Sequence, residues 1–164
     1  MSTPRSYQTN IKGKAVTFTH LGPVALPDFS AVTSVSVIPF TAEGEIVAVR
    51  LSHRGVDLPG GHVEPGETTP EQTLKREVME EASMTVQAPV LVEVIESDYF
   101  DRPSFMLLYA AYVDQLFKFV PPPDEPSEER VVLSPTEFIA QYEAGNKALM
   151  AAAIESAWHR LQGR

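Results

Sequence analysis

The sequence contains no cysteine. That excludes a disulfide framework, a thiolate nucleophile and any cysteine-ligated metal, while leaving the compartment undecided. No apolar run approaches the roughly 20 residues that a membrane-spanning helix needs. Residues 1–10 (MSTPRSYQTN) hold no signal-peptide core, so a cytoplasmic location is expected. Positive charge is scarce as well: 13 lysines and arginines stand against 22 acids, a net charge of −9. Nonspecific binding to nucleic acid or to a membrane surface needs a basic face, so neither is an expected partner. A small anionic substrate would have to be attracted by a bound cation and a few local arginines.

What remains is 164 residues, 43% of them hydrophobic, which suits a single domain with a sizeable core. Residues 1–10 are polar and expected to fray, with Ala15–Phe18 as a short strand. Prolines and glycines at Gly22-Pro23 and Pro27 then interrupt the chain. Residues 1–30 are therefore read as an N-terminal extension packed on a main domain of residues 31–164. Ala31–Phe40 (AVTSVSVIPF) is rich in β-branched residues and predicts a strand, a turn follows at Thr41–Gly44, and Glu45–Leu51 returns as its hairpin partner.

Val86–Ser97 and Ser104–Val113 predict two more strands, joined by a tip that carries Tyr99 and Phe100. These aromatics either stack a nucleobase or pack into the fold. Lys118–Arg130 is proline- and acid-rich, and three successive prolines bar helix and central strand alike. After a short strand at Val131–Leu133, Ser134 and Glu137 form a capping box for a helix through Tyr142. Gly145 breaks the chain, and Lys147–Leu161 predicts a last helix held down by Trp158. Strands and helices in this order imply α/β layering, with a mixed sheet between helices.

The stretch Leu58–Met84 (LPGGHVEPGETTPEQTLKREVMEEASM) organises the rest. It opens on a proline-glycine-glycine turn, and its helix is signalled by Thr69 as N-cap, Pro70 at the first position and Gln72 three residues after the cap. On a helix, Leu74, Val78 and Ala82 form an apolar stripe, with Glu77, Glu80 and Glu81 along its flank. Three neighbouring carboxylates repel one another unless they are solvated or hold a cation, and their oxygens suit Mg²⁺ or Mn²⁺.

These residues resemble the signature of the Nudix hydrolases, G-x5-E-x7-R-E-U-x-E-E-x-G-U, where U is a bulky apolar residue. Gly61 opens the pattern, Glu67 follows after five residues, Arg76-Glu77-Val78-Met79-Glu80-Glu81 supplies the second half, and Met84 takes the last apolar place. Two departures stand out. Eight residues, not seven, separate Glu67 from Arg76, and Ser83 replaces the final glycine. Ser83 is expected in a left-handed conformation, at a cost of about 1 kcal/mol.

The resemblance implies the Nudix α/β/α sandwich and metal-dependent hydrolysis of a diphosphate linkage in a nucleoside diphosphate derivative. Glu77, Glu80, Glu81 and the Gly60 carbonyl would ligate Mg²⁺ or Mn²⁺, and Arg76 and Glu67 would orient those glutamates. The general base would be Glu80, or Glu128 or Glu129 from the proline-rich loop, which are otherwise part of a solvated linker. Arg50 and Arg54, the nearest cations, either meet a substrate phosphate or pair with acids at the surface. His53 and His62 are expected at the surface rather than on the metal. The protein would act on a small nucleotide-like molecule as a monomer or homodimer. The alternatives are a catalytically weak Nudix-fold sensor of a nucleotide or metabolite, and a structural protein with a merely solvated acidic helix.

Overall fold

The computed structural model describes residues 5–52, 55–124 and 127–163, so His53 and Arg54 fall outside the described residues. At its centre the strand β3 (Val32–Phe40) runs parallel to β8 (Ser104–Leu116), in register from Ser34 opposite Met106 to Phe40 opposite Tyr112, with an irregularity between Val32 and Ser34. Val32, Val35, Val37, Ile38 and Phe40 are buried, on both faces of the strand, as a central strand requires. The remaining pairings are antiparallel, which makes the sheet mixed. The described strands also include β1 (Arg5–Ile11), β2 (Lys14–His20), β4 (Ile46–Leu51), β5 (Val56–Asp57), β6 (Gly60–His62), β7 (Met84–Ser97) and β9 (Ser127–Leu133). Their order is β1-β2-β7-β8-β3-β4-β5, with β6 on the edge of β3 and β9 on β4.

Helix α1 (Pro70–Ala82) covers one face, where Leu74, Val78 and Ala82 meet Val35, Val37 and Val49. Helices α2 (Pro135–Gln141) and α3 (Lys147–Gln162) cover the other, where Phe138, Ile154 and Ala157 meet Ile38, Phe40 and Leu108. The alternation of strand side chains thus divides one sheet between two apolar layers, giving the expected α/β/α sandwich. Trp158 fastens α3 against Phe40 and Tyr112, with ring centroids 5.0 and 6.0 Å away. Among the described residues, no helix is long and apolar enough to cross a membrane.

Three expectations need correction. First, β3 and β4 pair only at Phe40 and Ile46, not along a full hairpin. The strands part because β6 inserts beside β3, with Ser36 opposite Gly60 and Val35 opposite Gly61. A Cβ on Gly60 would stand 2.4 Å from the Ser36 Cβ, so only glycine lets the backbones approach this closely. Second, residues 5–11 do not fray. They form β1, turned onto β2 through Lys12 and Gly13, both at positive φ, and joined through β2 to β7. Tyr7 stacks on Phe18 at 5.4 Å, and Arg5 pairs with the buried Glu93, which supplies the anchors that composition did not reveal. Third, β8 runs on to Leu116, beyond the expected Val113, and β9 begins at Ser127, so the proline-rich loop expected to reach Arg130 ends earlier.

That loop is tied to the end of α1. Ser83 closes the helix in the left-handed region, at φ 51° and ψ 51°. Its Oγ accepts the Val120 N–H at 3.1 Å, and its carbonyl accepts the Phe117 N–H at 2.9 Å. The Arg130 guanidinium donates to the Ala82, Ser83 and Phe117 carbonyls at 2.7, 3.0 and 2.7 Å, placing a cation where the helix leaves carbonyls unpaired. Ser83→Ala keeps the left-handed backbone and loses the Oγ acceptor, so it should destabilise by about 1 kcal/mol. Ser83→Gly loses the same bond but relieves a backbone cost of about 1 kcal/mol, and should stay near wild type. Urea unfolding midpoints check this; equal losses in both variants would mean that the backbone cost is negligible.

Candidate active site

The site begins with the cap of α1. The Thr69 hydroxyl accepts the Gln72 N–H at 3.3 Å, and the Gln72 side chain accepts the N–H groups of Thr68 and Thr69 at 2.6 and 3.2 Å. This fixes the helix start and, with the apolar stripe packed down, fixes which glutamates turn inward. The expected trio splits. Glu77 and Glu81 are 6% and 8% exposed, whereas the Glu80 side chain is 51% exposed.

Buried carboxylates need partners, and the glycine turn supplies them. Glu81 Oε1 accepts the Gly60 N–H at 2.8 Å. Glu77 lies so close to Gly61 that a Cβ there would sit 2.5 Å from its Oε1. The Val37 N–H donates to the Pro59 carbonyl and the Val63 N–H to the Thr33 carbonyl, at 3.1 and 3.0 Å. In this antiparallel register, Gly60 turns its own N–H and carbonyl away from β3, towards the Glu81 side. The two glycines thus serve different ends: Gly60 approaches β3 and Glu81, and Gly61 makes room for Glu77.

Arg76 holds the arrangement together. Its guanidinium donates to Glu67 from Nε at 2.7 Å and from Nη2 at 3.2 Å, to the His62 carbonyl at 2.8 Å, to Glu77 at 2.7 Å and to Glu80 at 3.1 Å. Glu64 stands 3.3 Å from Nη1. Glu67 also accepts from the Glu64 N–H and the Thr73 hydroxyl, both at 2.8 Å. The longer spacing between Glu67 and Arg76 therefore does not separate them. Arg76 beside it, with these two further donors, holds the Glu67 carboxyl down to about 2, and the acids around Arg76 push the guanidinium up.

Four carboxylates share this one guanidinium, which leaves an excess of negative charge around the turn. Among the described residues, no three carboxylates or imidazoles are gathered closely enough to hold a metal ion, because Glu80 is drawn towards Arg76. The chemistry of the donors nonetheless fits a hard divalent cation: buried carboxylates, a turned-out glycine carbonyl and a half-exposed glutamate, oxygen throughout. The His62 side chain is exposed and takes no part.

The other candidates fall in different places. Arg50 donates to Glu129 at 3.0 Å and to Gln141 at 2.9 Å, on the α2 face of the sheet. Along β9, Arg130 lies opposite Val49 and reaches the end of α1, Glu129 lies opposite Arg50 on the α2 face, and Glu128 falls at an irregularity of the ladder, between Glu129 and the Ser127 that pairs with Leu51. Tyr99 and Phe100 meet edge to face at 4.9 Å at the β7–β8 tip, where Lys14 bonds the Tyr99 carbonyl. Phe100 borders a groove with Asp98, Asp101 and Arg102 rather than the main cleft.

A large cleft, of about 800 Å³, was missed in the sequence. It runs from Gly60 and Ser36 to Tyr142 on one side and to Tyr7, Phe18 and His20 of the N-terminal hairpin on the other. The signal that could have revealed it is the alternation of Val16, Phe18 and His20 after the Lys12-Gly13 turn.

A mixed sheet between helices, with a glycine turn feeding a glutamate-bearing helix, defines a class of α/β fold that known proteins share. The NUDIX domain profile matches residues 31–153, and the chain belongs to that family, the Nudix hydrolases. No curated protein matches the chain by sequence. Among solved structures, a mutant of the Bacillus subtilis pyrophosphohydrolase BsRppH is similar at 18% identity and a TM-score of 0.68, covering 94% of this chain and 97% of that one. A Nitrosomonas europaea NUDIX hydrolase aligns at 20% identity and a TM-score of 0.62, over 79% of this chain and 88% of that one. The NUDIX domain of Shewanella oneidensis NrtR, in complex with ADP ribose, aligns at 16% identity and 0.60, over 79% and 87%. At these identities the likeness shows the fold.

The Glu67–Arg76 pair has a pH signature. Because the Glu67 carboxyl lies at about 2 in the folded protein, below its usual range, ionisation favours the folded state. The contribution is complete above the ordinary glutamate value of about 4.3 and is lost as pH falls through the folded value. Glu67→Gln should therefore unfold more easily than wild type at pH 7. The gap should narrow below about pH 5 and close near pH 2. Denaturant midpoints across that range check it; a gap independent of pH would assign the loss to packing.

Proposed function

We propose that this chain hydrolyses a diphosphate linkage in a nucleoside diphosphate derivative, with Mg²⁺ or Mn²⁺ bound by Glu77, Glu80, Glu81 and the Gly60 carbonyl. The observation that carries this reading is the burial of Glu77 and Glu81 against the Gly60-Gly61 turn, beside an Arg76 that four carboxylates share. A bound divalent ion supplies charge neutralisation at phosphate oxygens and lowers the pKa of a coordinated water. The chain's own residues do the rest. Arg76 and Glu67 hold the helix and the glycine loop at fixed separation, so that the carboxylates keep their direction. A carboxylate accepts the proton of the attacking water as the P–O bond of the leaving phosphate breaks.

For that base we favour Glu128, at the irregularity of β9 two residues before Arg130, over Glu129, which is paired with Arg50 on the α2 face of the sheet. Glu80, half exposed and hydrogen-bonded only to Arg76 among the described residues, is the second choice. The substrate class takes support from what the similar proteins are described as handling: ADP ribose in the NrtR domain, and Ap4A for a Caenorhabditis elegans hydrolase. Nucleoside triphosphates, nucleotide sugars and dinucleoside polyphosphates all present the required linkage. A catalytically weak sensor is the second reading, favoured by the hold of Arg76 on Glu80 and the absence of three converging carboxylates among the described residues.

A panel of these compounds with Mg²⁺ or Mn²⁺, scored by product mass, separates enzyme from sensor and identifies the bond cut. Glu81→Gln should lose at least the roughly 100-fold that removing even an outer partner of a metal ligand can cost, with the fold intact. Glu128→Gln should also fall steeply, and Glu129→Gln should remain near wild type. An unchanged Glu81→Gln rate at saturating Mg²⁺ would remove the proposed metal set.

A further inference from the structure

We propose that His20 is a substrate-contacting residue, and that the N-terminal hairpin forms the wall which receives the nucleoside portion of the substrate. The reading deepens the one above and rests on it only for placing the phosphates at the Gly60 end of the cleft.

Three observations carry it. The first is the mounting of the imidazole. Glu93 on β7 is 2% exposed, and it accepts the Arg5 guanidinium at 2.9 Å, the Gly22 N–H at 2.6 Å and His20 Nδ1 at 3.1 Å. A carboxylate opposite Nδ1 keeps the proton on that nitrogen and fixes the ring plane. This leaves Nε2 to act at the other edge of the ring.

The second observation is where that edge lies. His20 is 7% exposed, and its exposed remainder borders the large cleft. Nε2 is not among the fully buried unpartnered side-chain atoms, which among the described residues are the Tyr109 hydroxyl and the Ser127 Oγ. It has no hydrogen-bond partner among the described residues, so it is an acceptor open to the cleft and held in place from behind.

The third is the chemistry of the cleft around it. Tyr7 stacks on Phe18 at 5.4 Å and stands 6.1 Å from the His20 ring, which gives the hairpin side an aromatic lining. No lysine or arginine lines the cleft among the described residues, while Asp57 and Glu143 do. A phosphate chain would be repelled there. An uncharged planar ring with hydroxyl or amino donors would be stacked by the aromatics and would donate to Nε2. A nucleoside has these properties, and the hairpin lies outside residues 31–153, which the family profile matches.

The experiment follows the imidazole resonances of His20 and His159 while AMP, GMP, CMP or UMP is titrated in EDTA into wild type and Glu81→Gln. The His20 signal is assigned by its loss in His20→Gln. At least one nucleotide should shift the His20 Nε2 resonance saturably and leave that of His159 unmoved. His20→Ala should weaken this binding, and raise KM for the cleaved substrate, by about tenfold with kcat little changed. His20→Gln, which keeps an acceptor, should recover part of the loss, and Phe18→Leu should also raise KM.

If nucleotides move His20 but no compound is cleaved, the hydrolase reading fails and this one stands. Saturable binding that leaves His20 unmoved overturns it, and so does turnover with none of the four nucleotides binding at millimolar concentration. The wild-type titration decides between these outcomes even if the His20 variants fail to fold.

Discussion

One guanidinium holds the acidic turn together. Arg76 reaches back across the turn to Glu67 and the His62 carbonyl, and sideways to Glu77, so the loop after β6 cannot move independently of α1. Remove that link and Glu77 and Glu81 would be two buried like charges on one helix face, each favouring either protonation or exposure. With it, Glu77 is paired while it lies against Gly61, and Glu81 accepts from the Gly60 N–H. The arrangement gathers four carboxylates around a single guanidinium at the turn.

The sheet is distorted to make this possible. An ordinary hairpin would pair β3 with β4 throughout and leave no edge for the glycine turn. Instead the strands separate after Phe40 and Ile46, β4 takes β9 and β5 as partners, and β6 fills the freed edge. Gly60 and Gly61 meet different steric demands at successive positions, one towards Ser36 and one towards Glu77. Because successive residues of a strand face opposite ways, the same turn serves both faces of the sheet. Gly60 borders the cleft on the side of α2 and α3, and its peptide bonds Glu81 on α1.

What the sequence made legible follows from the range of the interactions. The capping boxes at Thr69 and Ser134, the apolar stripe of α1 and the left-handed Ser83 are set within a few residues, and each appears in the structure as expected. The parting of β3 and β4 was not legible, because it depends on β6 arriving from 20 residues downstream. The N-terminal strand was missed for the same reason: nothing in its polar composition announces that Arg5 will meet Glu93, 88 residues away. The proline-rich loop misled in the other direction. Its prolines bar regular structure at Pro121–Pro123, but β9 begins at Ser127 because β4 offers it an edge.

The two ends of α1 are secured by different means, and the difference bears on how the site can move. The first turn is closed by its own capping box and by Glu67, so its geometry is local. The last turn is closed from outside, by Arg130 on β9 and by the Ser83 hydroxyl holding Val120. The family's final glycine could offer no such side-chain contact, so serine exchanges backbone ease for a tie to the proline-rich loop. Arg130, which closes the same end of the helix, lies on the strand that carries Glu128 two residues earlier. The departure at Ser83 therefore couples the end of the acidic helix to the segment bearing a further carboxylate, and a shift in either would be felt by both.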